Sequence, residues 1–139
     1  QAINAANTGH SVITTIHANS CEDTYYRMVT LCKQEQPGMD DATLQNLATK
    51  AFPIVAFAKR LEDNSRRIME ITECETLQDG RKKMRTLYRF NITDNIIAEG
   101  KPKIIGHYEK VENLSEGLQK RLRENGLPLK MQEQLLAKQ

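Results

Sequence analysis

Apolar side chains along the chain recur first at helical spacing, then in strict alternation, then at helical spacing again. Tyr25, Met28, Val29 and Cys32 follow three-four spacing and predict a helix over residues 21–34. Ser20 suits its N-cap, with Asp23 three residues on in a weaker relative of the capping box and Glu22 adding negative charge to the first turn. Pro37-Gly38 ends that segment. Met39-Asp40-Asp41 then starts a second helix in which Leu44, Leu47, Ala48 and Ala51 share a face, and Pro53 turns Phe52 away from helix. Ahead of both, residues 1–6 read as the last turns of a helix, which Asn7-Thr8-Gly9 closes, Gly9 being suited to a left-handed cap. The β-branched run over residues 12–16 predicts a strand.

The middle of the chain changes period. Residues 54–59 are a short β-prone run, Asp63-Asn64-Ser65 is a turn, and from Ile68 to Glu75 two sets of side chains interleave with period two, which predicts a hairpin. Met69 and Ile71 share a face with Glu73 and Glu75, so the first half of this strand is expected to be the better covered. Gln78-Asp79-Gly80-Arg81 is a second turn, Leu87, Tyr88, Phe90 and Ile92 lie in the next strand, and residues 104–108 supply a further one. Ser115 then caps a helix with Leu118 and Leu122 as i, i+4 partners, and Gly126 closes it. Pro128 prevents its continuation, and Met131, Leu135 and Leu136 pattern a final short helix. The result is a mixed α/β arrangement with an antiparallel β extension and a helical tail.

Composition narrows the classes. A chain of 139 residues that is 39% hydrophobic and 27% charged is enough for one core, and a net charge of +2 demands neither a nucleic-acid nor a membrane partner. No apolar run approaches the roughly 18 to 20 residues that span a bilayer. Cys21, Cys32 and Cys74 form no CxxC pair, which gives no zinc spacing and no disulfide framework; no metal ligands are expected. Asn91-Ile-Thr93 and Asn113-Leu-Ser115 match glycosylation sequons, which carry weight only in a secretory chain. Gln1 lies inside a helical segment without a cap or lead-in, so the chain is expected to be part of a larger protein.

Two of the three histidines bracket the β-branched run, in Thr8-Gly9-His10-Ser11-Val12-Ile13-Thr14-Thr15-Ile16-His17-Ala18-Asn19-Ser20. A strand ending at residue 16 sends His17 toward the edge where ligands bind in open α/β sheets, and an imidazole there can donate a hydrogen bond to a phosphate oxygen. On residue types alone, a histidine that merely bonds the following turn is the more ordinary outcome. The segment resembles the histidine box of the secretion and pilus-assembly ATPases, with a pattern close to TGHxxxxTxHANS. Further matches follow in order: Ser20-Cys21-Glu22-Asp23 with Arg27 and Leu31, the family's box-following helix; Lys59-Arg60-Leu61-Glu62-Asp63-Asn64-Ser65-Arg66-Arg67-Ile68, similar to an RLxDGxRR hairpin with Asn64 in place of glycine; and Ile71-Thr72-Glu73, similar to an ItE motif. Ile105-Gly106-His107 and the tail from Leu122 to Leu129 resemble the end of the CpaF/TadA-like, tight-adherence and type II/IV secretion branch.

The resemblance implies the C-terminal part of a RecA-like P-loop ATPase domain, with an antiparallel β-hairpin extension and a helical tail. It implies that His17 senses the ATP γ-phosphate, that Thr8, Gly9, His10 and Asn19 complete the cofactor-binding set, and that Arg27 helps hold the box-following helix. It also implies a cytoplasmic hexamer at the inner face of the cell membrane, partnered by inner-membrane platform proteins, using ATP and Mg2+ in the parent protein. The G-x-x-x-x-G-K-[ST] loop is absent from these residues, as is the acidic strand that would hold Mg2+, so this stretch by itself is expected to bind no nucleotide and hydrolyse none. Such a piece is expected to self-associate or be marginally stable.

Other chemistries are weaker. Arg66-Arg67 and Arg81-Lys82-Lys83 with Arg85 read as solvated hairpin ends, and no aromatic ladder accompanies them to suggest nucleic acid. Glu70, Glu73 and Glu75 read as charged strand positions, with no acid partner spaced for catalysis. Cys21, near a helix start, lacks an orienting carboxylate and reads as structural. A protein-interaction module without enzymatic activity remains the alternative reading.

Overall fold

In the computed structural model, which describes residues 1–136, the order is α1 (Ala2–Asn7), α2 (Cys21–Glu35), α3 (Asp41–Ala51), β1 (Ile54–Arg60), β2 (Arg66–Thr76), β3 (Lys82–Ala98), β4 (Lys101–Lys110), α4 (Glu116–Glu124) and α5 (Leu129–Leu136). The strands form one sheet in the order β1-β2-β3-β4, a meander of hairpins. The chain divides into two compact units. One comprises Gln1–Val55 and Cys74–Met84; the other comprises Ala56–Glu73 and the described residues from Arg85 onward.

In the first unit the caps set the helices. Ser20 Oγ accepts the Asp23 N–H at 3.0 Å, and the Asp40 carboxylate accepts both the Thr43 N–H at 2.9 Å and the Thr43 hydroxyl at 2.6 Å. The Thr43 hydroxyl, followed by the Thr43 N–H, holds the Asp40 carboxyl below its usual range. Lys33 joins the two helices, donating to the Met39 carbonyl at 2.6 Å and pairing with Asp41 at 3.0 Å. Tyr25, Met28, Ala48 and Cys74 form the buried core, with Ile3, Ile16, Phe52, Val55 and Met84 packed against it. Burying a side chain the size of Met28 contributes roughly 1.5–3 kcal/mol. The Tyr25 hydroxyl donates to the Phe52 carbonyl at 2.5 Å, which satisfies the one polar atom that this aromatic carries into the core.

The expected strand over residues 12–16 does not form. The segment is not in a strand, residues 11–19 have no hydrogen-bond partner among the described residues, and Ile13 is 98% exposed. β-branched residues favour extended backbone, but a strand exists only where a neighbour pairs with it, and the four-stranded sheet lies elsewhere in the chain. Ile16 alone of the run is packed on the core.

In the β region each turn has the residue its geometry requires. Asn64 takes φ 62° in the β1–β2 turn, where Leu61 N–H meets the Ser65 carbonyl at 2.8 Å. Gly80 takes φ 84° between β2 and β3. Between β3 and β4 the two-residue loop Glu99-Gly100 has both φ positive, 51° and 73°, as in a type I′ hairpin turn. β3 and β4 are longer than the alternation predicts, because this tight turn lets pairing run from Ala98↔Lys101 back to Tyr88↔Lys110. Thr93 is the extra residue of a bulge between Ile92 and Asp94.

The expected coverage of β2 is reversed. Ile68 is 42% exposed, whereas Thr72, Glu73 and Cys74 in the second half are buried at 0%, 3% and 6%. Alternation predicts which residues share a face, but not which length of a strand its neighbours cover.

Gly106 is a site of close approach. A Cβ there would stand 2.4 Å from the Asn91 carbonyl oxygen and 2.6 Å from Phe90 Cζ. The absent side chain lets the Phe90 ring lie across the strand pair, where it meets Tyr108 with centroids 5.0 Å apart and receives the Arg67 guanidinium 4.8 Å from its centre. Gly106→Ala is expected to lower stability by about 1–3 kcal/mol in urea unfolding, since backbone must move to admit the methyl group. An unchanged unfolding midpoint would show that the strands separate without cost.

Candidate functional site

The box residues divide into an ordered first half and an open second half. α1 ends at Asn7, and the Thr8 hydroxyl donates back to the Asn4 and Ala5 carbonyls, each at 3.0 Å. Gly9 turns the chain with φ 94°, His10 N–H bonds the Ala5 carbonyl at 3.2 Å, and His10 Nδ1 lies 3.4 Å from the Thr8 hydroxyl. Thr8, Gly9 and His10 are thus one local structure built on the end of α1. The Asn7 side-chain amide ties that end to α3 through the Leu47 carbonyl at 3.3 Å.

His17 and Asn19 are exposed and have no hydrogen-bond partner among the described residues. Among the described residues no hydrogen bond joins them to Thr8, Gly9 or His10. What positions His17 is its place between the core-packed Ile16 and Ser20, the cap of α2. Both ring nitrogens are open to a ligand. Arg27 lies on α2, is exposed and makes no ion pair among the described residues.

Beside this segment is an apolar cavity of about 320 Å3, lined chiefly by Ile3, Ile16, Met28, Leu31, Leu47 and Phe52, with Thr14 and Thr15 at its polar border. Neither histidine lines it. No group of three or more His, Cys, Asp or Glu suited to a metal ion occurs among the described residues. No helix among them is long and apolar enough to cross a membrane.

Several charged residues have structural tasks that their sequence positions conceal. Arg67 is half-buried against Phe90, and Arg85 pairs with Glu112 at 3.3 Å, so neither is a solvated hairpin end. Glu70 accepts the hydroxyls of Thr72 and Thr86. Glu73 is buried and accepts both the N–H of Ser115, at 2.8 Å, and its hydroxyl. The signals available for these roles were the period-two placement of Glu73 beside Thr72 and Cys74 and the cap position of Ser115, but nothing in sequence joins positions 42 residues apart.

An α-helical unit followed by a four-stranded antiparallel meander and a helical tail, with a Thr-Gly-His segment ahead of α2, is the mixed α/β arrangement found. The family model described as Type II/IV secretion system protein matches residues 1–138, and the chain belongs to that family. No curated relative matches it.

Asp63 provides the electrostatic test of the hairpin that resembles the family's RLxDGxRR motif. Its carboxylate accepts the Ser65 hydroxyl at 2.5 Å, the Ile104 N–H at 3.0 Å and the Ser65 N–H at 3.0 Å, fastening the β1–β2 turn to β4. These bonds, the Ser65 hydroxyl first, lower its pKa from 3.8 to about 2, with a smaller contribution from Arg67. A depressed carboxyl stabilises the fold above its unfolded value and loses that contribution as pH falls through its folded value. Comparing Asp63→Asn with the parent sequence should therefore give a stability deficit that is full above pH about 4 and shrinks toward pH about 2. A deficit independent of pH across that window would refute the assignment.

Proposed function

We propose that the chain is the C-terminal portion of the RecA-like P-loop motor domain of an ATPase that powers pilus assembly or type II/IV protein secretion. The observation that carries this reading is the family match over residues 1–138 together with the uninterrupted Thr8-to-Ser20 box within it. In it, His17 is the sensor of the γ-phosphate. Its imidazole is exposed, unengaged and held between a core anchor and a helix cap, which suits a group that donates a hydrogen bond to a phosphate oxygen only when one is present.

Thr8, Gly9 and His10 shape the entry to that segment, their own polar groups being already engaged with the end of α1. Asn19 sits beside the cap of α2, where its amide is available to the same ligand. ATP supplies the transferable phosphoryl group, and Mg2+ is held by residues of the parent protein outside this chain. The motor works as a hexameric ring in the cytoplasm, against inner-membrane platform proteins, and the meander and tail provide surfaces for neighbouring subunits.

The test is His17→Ala in the longer protein that carries the phosphate-binding loop. Loss of one hydrogen-bond donor to the reacting phosphate is expected to lower ATP turnover by roughly 10- to 100-fold. His10→Ala should act mainly on stability, through the end of α1. Unchanged turnover with His17→Ala removes the sensor role.

A further inference from the structure

We propose that the pairing of Glu73 with Ser115 is a latch that holds the α4–α5 tail on the sheet, and that the tail leaves the sheet as a unit when the pair opens. Glu73 belongs to β2 and is 3% exposed, and among the described residues both donors to its carboxylate come from Ser115, 42 residues away. A carboxylate so buried is tolerable only while charge-assisted hydrogen bonds replace its water. Ser115 is equally buried, and its hydroxyl works in two directions. It donates to Glu73 and accepts the Leu118 N–H at 3.1 Å, so the latch and the N-cap of α4 share one oxygen.

Little else holds the tail. Neither α4 nor α5 contains a buried residue. Leu122 of α4 and Leu135 and Leu136 of α5 gather with Leu114, the residue before Ser115, around a residual gap of about 10 Å3. The two helices thus share apolar contacts with each other and with Leu114 at their root, and neither sinks a residue into the core. Two further hydrogen bonds reach the tail from residues upstream of Ser115: the Lys110 ammonium donates to the Leu135 carbonyl at 2.7 Å, and the Gln119 side-chain amide of α4 donates to the Leu114 carbonyl at 2.7 Å. The Arg85–Glu112 pair and the Val111 N–H to Leu87 carbonyl bond fasten the exit of β4 upstream of Ser115, so they stay made when the tail departs. An element with no buried residue, held by a few polar bonds and a small apolar contact, opens as a unit at less cost than global unfolding.

The experiment is amide hydrogen exchange on the 139-residue chain and its Glu73→Gln variant, which keeps the shape of the side chain but turns one acceptor into a donor facing Ser115. Amides of α4 and α5 should exchange about tenfold faster or more, while those of α2, α3 and β3 keep their rates. An unchanged tail, or an equal rise across β3 and the tail, overturns the proposal. If Glu73→Gln fails to fold, Ser115→Ala decides, read at α5, whose amides Ser115 does not cap. Faster exchange confined to the tail supports the latch there, and a global or absent change overturns it.

Discussion

A carboxylate taken out of water inside a β-strand has to be matched by donors, and at Glu73 the donors arrive from the far end of the sequence. Stranding a buried charge by removing its partner costs about 3–5 kcal/mol in typical proteins, so the placement of Ser115 is tightly coupled to that of β2. Around it the second half of β2 is organised by polar satisfaction. Thr72, fully buried, gives its hydroxyl to Glu70, and Glu70 also takes the hydroxyl of Thr86 on β3. The strand is buried because its polar groups are paired, which differs from the apolar burial that secures α2 and α3.

The β3–β4 pair meets the opposite requirement, the removal of a side chain. Gly106 clears the space that Phe90 occupies, and Phe90 then serves as the platform for both Tyr108 and Arg67. The bulge at Thr93 changes the side of the ribbon that later residues face, and the Glu99-Gly100 turn returns the chain. Asp63 links this ribbon to the first hairpin through Ile104. Within this unit, then, four specific devices share the work: the gap at Gly106, the bulge at Thr93, the Glu99-Gly100 turn and the Asp63 carboxylate.

Sequence disclosed what is encoded locally. The caps Ser20 and Ser115 each accept the N–H three residues on, as their positions suggest, and Asn64 adopts the left-handed conformation expected of a residue standing in for glycine. Helical spacing located Tyr25, Met28, Leu44 and Ala48, all buried. Non-local facts were hidden. Alternation could not reveal that the buried half of β2 is the one with the carboxylate, nor that a bulge falls at Thr93, nor that residues 12–16 lack a pairing neighbour. Each depends on what another part of the chain does, which a periodicity does not record.

The same division runs through the box. Thr8, Gly9 and His10 were legible as a helix terminus because the glycine and the hydroxyl act on carbonyls a few residues away. The role proposed for His17 is of the other kind, since an exposed imidazole without a partner among the described residues acquires chemistry only from a group brought to it. A structural histidine would already have spent its nitrogens on nearby backbone, as Thr8 has spent its hydroxyl. An unengaged side chain between a buried isoleucine and a capped helix has the opposite property: the backbone is held at both sides while the ring stays free to respond. That combination is what a nucleotide sensor needs, because coupling a ligand to movement requires a contact that differs between the bound and unbound states and an element rigid enough to carry the difference.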